Sequence, residues 1–144
     1  MYEIGYLSGE LPLPVEDIVE YVSGAGTFIQ LFDVSALISE EQLEFAASRI
    51  DKISEHTRIK SRELILLCLV SGEHQINNAI SRAGIKPETI KIACLYEDKS
   101  ALEGLVRRFT CLRTSKERLL PRTAPDRDRE LFGKMVQSQL RLVS

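Results

Sequence analysis

The side chains of this 144-residue chain that could do chemistry gather between His56 and Arg82, so the reading begins there. A nucleophile would pair Cys68 with His74, but Cys68 sits inside an all-apolar run, Leu64–Val70, where burial destabilises a thiolate. Glu63, at the head of that run, has the chemistry of a general base, and equally that of a solvated carboxylate at the end of an element. His56 and His74 have no ligand-type residue four positions on, so no metal is expected. Gly24 and Gly26 lack the further glycine and the lysine of a phosphate loop. The expectation is a protein without catalysis, cofactor or metal. What remains is cationic. Arg58, Lys60 and Arg62 precede the apolar run, His74 and Gln75 open the next element, and Arg82 lies on its polar side. Such groups beside helix-start amides suit phosphates; solvated faces with local ion pairs account for each of them singly.

The elements that must position these residues follow from apolar spacing. Leu64–Val70 has no polar member, which predicts a fully buried strand. Ser71 and Gly72 break it. Ile76, Ala79, Ile80 and Ala83 fall on one face of a helix ending near Ala83, with Gly84 expected as its left-handed terminator in a Schellman motif and Pro87 preventing continuation. Ile90, Ile92 and Cys94 alternate with Lys91 while Ala93 and Leu95 make the other face apolar, giving a largely buried strand to Tyr96. Strand, helix, strand suggests a crossover unit whose strand directions the sequence leaves open.

Further strands are expected from Tyr2, where Tyr2, Ile4 and Tyr6 alternate, to an end at Ser8-Gly9, and over Thr27–Phe32, with a short acidic helix over Val15–Val22 that turns Ile18, Val19 and Val22 inward. Ser39-Glu-Glu-Gln42 reads as a capping box for a helix burying Leu43, Ala46, Ala47, Ile50 and Ile53, the alanines lying close on the sheet. Ser100-Ala-Leu-Glu103 repeats that signature. Pro121 and Pro125 make a loop of the middle of the densest basic run, Arg107–Arg129. Thr123 or Asp126 then caps a last amphipathic helix carrying Leu131, Phe132, Met135, Val136, Leu140 and Val143. The fold class expected is α/β (α+β): one domain over residues 1–144, a small mixed sheet of about four strands with about five helices.

Composition agrees with a globular domain: 44% hydrophobic, 28% charged, five prolines and eight glycines. Cys68, Cys94 and Cys111 form no C-x-x-C pair and read as reduced packing thiols, so a cytoplasmic protein is expected. No apolar run reaches membrane-span length and the first residues carry no signal-peptide charge. The net charge of −2 hides an asymmetry. Residues 1–48 hold nine acidic side chains and no lysine or arginine, whereas the rest holds twelve acidic against nineteen basic ones, an excess of seven suited to an anionic partner if the fold keeps the halves apart.

Arg62-Glu63-Leu64 leading into the apolar run, SGEHQINNAISRAGIK over 71–86 and IKIACLYED over 90–98 together resemble the small subunit of the KEOPS complex, the family of the eukaryotic PRPK-binding protein and its archaeal counterparts. The resemblance covers about a quarter of the chain, with element order agreeing elsewhere. His74 stands where family members often carry an arginine before Gln-Ile. The resemblance implies a non-catalytic accessory subunit that binds and stimulates the kinase-like ATPase of the complex. It also implies recruitment of tRNA through its 3′ CCA end for threonylcarbamoyladenosine synthesis, by a mixed α/β domain. Lys60, Arg62, His74, Gln75 and Arg82 are the implied RNA contacts, expected to act through phosphates and a pocket because aromatics are sparse. The C-terminal helix, through Leu131 and Met135, is the expected kinase contact; a homodimer is the alternative for the isolated chain. The second reading is a small-ligand-binding α/β regulatory domain.

Overall fold

In the computed structural model, which describes residues 1–59 and 61–143 apart from the side chains of Asp126 and Asp128, the chain forms one α/β domain in three layers. Four strands, β1 (Glu3–Gly9), β2 (Ile29–Asp33), β3 (Lys91–Tyr96) and β4 (Leu112–Ser115), make a sheet of order β2-β3-β1-β4. Every pairing is antiparallel, with Gly5 opposite Cys94 and Leu31 opposite Cys94 on its other side. Helices α1 (Val15–Ser23) and α5 (Lys99–Arg108) cover one face. Helices α2 (Glu40–Ser54), α3 (Arg62–Ser71), α4 (Ile76–Ala83) and α6 (Pro125–Leu142) cover the other. The two faces of β3 divide as its alternation predicts: Ile92, Cys94 and Tyr96 join the first core and Ala93 and Leu95 the second. Ile90 falls outside the strand and is exposed.

The main correction concerns Leu64–Val70, which is helix rather than strand. Ser61 caps α3, its hydroxyl accepting from the Leu64 amide at 3.3 Å. Ile65, Leu66, Leu67, Cys68, Leu69, Val70 and Ser71 are all buried, because α3 packs against α2, α4, α6 and β2 together. A helix enclosed on every side needs no polar stripe, so the periodicity that separates helix from strand disappears. The crossover unit goes with it, since β3 pairs antiparallel with β1 and β2. α2 packs mainly on α3 and α6, while its Ala47 borders a depression shared with Ile4, Leu95 and Tyr96 of the sheet.

The Schellman motif occurs one helix earlier than expected. Gly72 ends α3 at φ +74°, its amide donating to the Leu69 carbonyl at 3.3 Å while the Glu73 amide donates to that of Cys68 at 3.1 Å. Gly84 is extended, at φ −72° and ψ 159°. Ser39 caps α2 as its box predicts, although the Gln42 side chain accepts from Ile38 and donates to the Val70 carbonyl. Asp98, not Ser100, caps α5 by accepting from the Ser100 amide. α6 starts with Pro125 at its first turn and no side-chain cap. β4 arises inside the basic run, where no strand is expected, its backbone pairing with β1 over Tyr6–Gly9.

Gly72 meets two demands, since a Cβ there would lie 3.2 Å from the Cβ of Lys134 on α6. Gly72→Ala should therefore destabilise by at least about 1–2 kcal/mol, the usual cost of a left-handed non-glycine residue. Gly133→Ala, at an open helical position, should stabilise by about 0.5–1 kcal/mol. Urea unfolding curves for the two variants should shift in opposite directions.

Candidate nucleic-acid interface

The candidate residues fall at two ends of the α3–α4 pair. At the start of α3, Arg62 projects into a polar knot: Nη2 donates to Glu97 Oε1 at 2.7 Å, and Nη1 lies 3.4 Å from Asp51 Oδ1 and 3.2 Å from the Tyr2 hydroxyl. Its guanidinium carbon also stands 5.0 Å from the centre of the Phe28 ring, which meets Tyr2 edge-on. Partial burial alone would lower its pKa, but the bond to Glu97 and the neighbouring charges outweigh that and raise it. Burial and the bond to Asp51 push the Tyr2 phenol up, so it stays a neutral donor. Arg62 is thus a cation already matched by two carboxylates.

At the other end, about 15 Å away by the rise of a ten-residue helix, lie His74, Gln75 and Arg82. The His74 ring nitrogens lie 3.5 Å from Arg141 Nη1, which brings a permanent guanidinium from α6 to the position where residue 74 offers imidazole. Gln75 occupies the N-cap of α4 without capping it; its side chain accepts from Asn78 at 3.3 Å. Arg82 pairs with Glu73 at 3.1 Å, both partners partly solvated. Lys60 lies outside the described residues. The described candidates thus form a knot at one end and an exposed His–Arg cluster at the other.

Between α1, the outer edge of β2 and the start of α3 runs an apolar groove of about 590 Å³, closed at one end by Ile80, Gly84 and Ile85. Its floor and walls include Ile18, Leu31, Leu64 and Leu67, and Ser61 and Glu63 form its polar rim. Among the described residues that line it, Glu63 is the one ionisable side chain, and it accepts from the Ser61 hydroxyl at 2.9 Å. Gln30 fixes the opposite wall. Its amide nitrogen donates to the Glu63 carbonyl at 2.8 Å and its oxygen accepts from the Leu31 amide. Val19 and Ile80, both expected in the core, are instead 50% and 44% exposed, because they border this groove. A wider, more polar depression of about 750 Å³ borders Glu40, but there Tyr6 donates to Glu40 at 2.5 Å and Arg118 pairs with it at 3.3 Å, consuming the carboxylate.

Met135 requires a correction as a partner contact: it is fully buried in the core, and Leu131 is half-buried beside it. The exposed apolar members of α6 are Val136, Leu140 and Val143. Sequence reasoning missed the groove because its walls come from α1, β2, α3 and α4; an outward Val19 and Ile80 mark it only once the topology is known.

None of the family models and none of the curated proteins compared with this chain matches it. Among the described residues, no helix is long and apolar enough to cross a membrane, and no group of three or more His, Cys, Asp or Glu side chains is placed to hold a metal.

Burial raises the Cys68 thiol to about 11 and the Cys94 thiol to about 12. A thiol-directed reagent applied to the native chain at pH 8 should therefore modify neither, while Cys111, which is partly exposed, reacts. Mass spectrometry should find one label before denaturation and three after. Labelling of native Cys68 would reinstate it as a nucleophile.

Proposed function

We propose that this chain is a non-catalytic accessory subunit of the KEOPS tRNA threonylcarbamoyladenosine complex, which binds and stimulates the kinase-like ATPase subunit and recruits tRNA through its 3′ CCA end. The observation that carries the reading beyond the sequence resemblance is the apolar groove beside α4. It offers an unpaired base a dry slot between aliphatic walls, with hydrogen-bonding groups on Ser61 and Glu63 at its rim. α4 runs from that groove back to its uncapped first turn beside His74 and Arg141, where backbone phosphates gain both amides and charge. Four to eight residues of helix separate the two, about 6–12 Å by the rise per residue.

The same groove supports the second reading, a small-ligand-binding α/β regulatory domain, since its lining is mainly aliphatic. The two separate on one experiment. Binding of matched tRNAs with and without the CCA end, across a salt series, should show tight salt-dependent binding only with the end intact. Ile80→Asp, a change at a half-exposed groove residue, should remove the end-dependent part without lowering thermal stability. Equal, weak binding of both RNAs with a shallow salt slope would leave the small-ligand reading.

The kinase-binding role draws on α6, whose Val136, Leu140 and Val143 lie exposed at helical spacing. Leu140→Glu should abolish stimulation of the kinase-like ATPase while tRNA binding persists, measured as ATP turnover and RNA affinity on the same preparation. Unchanged stimulation would place the partner surface elsewhere.

A further inference from the structure

We infer that Arg62 is a positioning residue for the 3′-end groove and makes no phosphate contact, an inference that rests on the tRNA-binding reading above. Arg62 lies between the two residues that form the groove's polar rim, Ser61 and Glu63, at the first turn of α3. Successive helical residues diverge by about 100°, so the rim faces α1 and β2 while the guanidinium reaches away to Tyr2, Asp51, Glu97 and Phe28. Those four come from the start of β1, the last turns of α2, the residue after β3 and the residue before β2. Arg62 thereby moors the first turn of α3 to four separate segments, and Gln30 holds the same turn from the groove side through the Glu63 carbonyl.

A phosphate approaching Arg62 would have to displace a 2.7 Å bond to Glu97 and share the guanidinium with Asp51, leaving two carboxylates beside the RNA. Electrostatics oppose that exchange, because the two carboxylates would stay beside the incoming anion and repel it. The cation survives in the site as a fixed strut.

Glu97→Gln separates the two roles, because it removes an anchor of Arg62 while making the surface more positive. Affinities for tRNA with and without the CCA end are measured against salt for wild type, Glu97→Gln, Arg62→Ala and Tyr2→Phe, with thermal unfolding of each. As a positioning residue, Arg62→Ala and Glu97→Gln both weaken end-dependent binding, by about tenfold where one charge-assisted bond is lost, with the salt slope unchanged and binding to the truncated RNA unaffected. Tyr2→Phe weakens it less. If Glu97→Gln instead strengthens binding, or Arg62→Ala lowers the slope by about 0.7, the value of one single-strand phosphate, Arg62 touches RNA and the inference is overturned. A wild-type chain indifferent to the CCA end overturns the tRNA reading itself, a result visible before any variant is made.

Discussion

The structure depends on burying one helix completely. α3 is ten residues long and its apolar side chains from Ile65 to Val70 are shielded by a sheet face and three other helices. Each buried aliphatic side chain contributes about 1.5–3 kcal/mol, so this packing outweighs any single polar tie, worth about 1 kcal/mol. Apolar burial does not choose a register, however. The polar ties at the two ends do. At the C-terminal end the Gly72 turn lets the chain leave without a clash, Gln42 takes the Val70 carbonyl, and Ser138 of α6 donates to the Glu73 carbonyl at 2.8 Å. At the N-terminal end Ser61, Gln30 and Arg62 fix the first turn. α4 and α6 take their places from the first set and the groove takes its rim from the second, so core and candidate site share one support.

Charge in this domain is used mainly to join segments. Arg118 and Glu40 bring the basic and acidic parts of the chain together across the sheet edge, while Arg62 with Asp51 and Glu97, and Arg82 with Glu73, are pairs internal to the basic part. Partly solvated pairs of this kind are individually weak. Arg62 differs in having two carboxylates, a phenol and an aromatic face in one geometry, which turns a surface cation into a fixed one. The seven-charge excess after residue 48 therefore overstates the cations open to a partner, and Arg62, one of the expected RNA contacts, is among the most committed.

The sequence was readable where amphipathicity left a record. β3 shows its two apolar faces, α2 and α4 their stripes, and Ser39 its cap, and these are found where spacing puts them, Ile80 of α4 excepted. α3 was illegible for a physical reason: enclosure on all sides erases the contrast on which period is read, and an apolar run of seven residues fits strand and helix alike. β4 was hidden because a short edge strand with Arg113 and Thr114 facing solvent carries almost no hydrophobic signal. At the site, residue types were visible but commitments were not. Nothing local to Arg62 indicates that Glu97, thirty-five positions on, takes its charge, or that Arg141 comes to rest against His74.

The two readings of the groove differ in what they ask of distance. A metabolite that fills an apolar slot is satisfied by the slot and its rim, and gains nothing from cations beyond its own length. The uncapped start of α4, beside His74 and Arg141, stands about 6–12 Å from the groove residues Ile80 and Gly84 by helical rise. A ligand using both must carry an apolar or base-like group at one end and negative charge several ångströms away, as a single-stranded nucleotide end does. The one ionisable side chain among the described residues of the lining, Glu63, accepts from the Ser61 hydroxyl, and the thiol nearest in sequence, Cys68, is held protonated by burial. An apolar slot with a cationic end offset along one helix is a surface suited to holding an extended ligand in place.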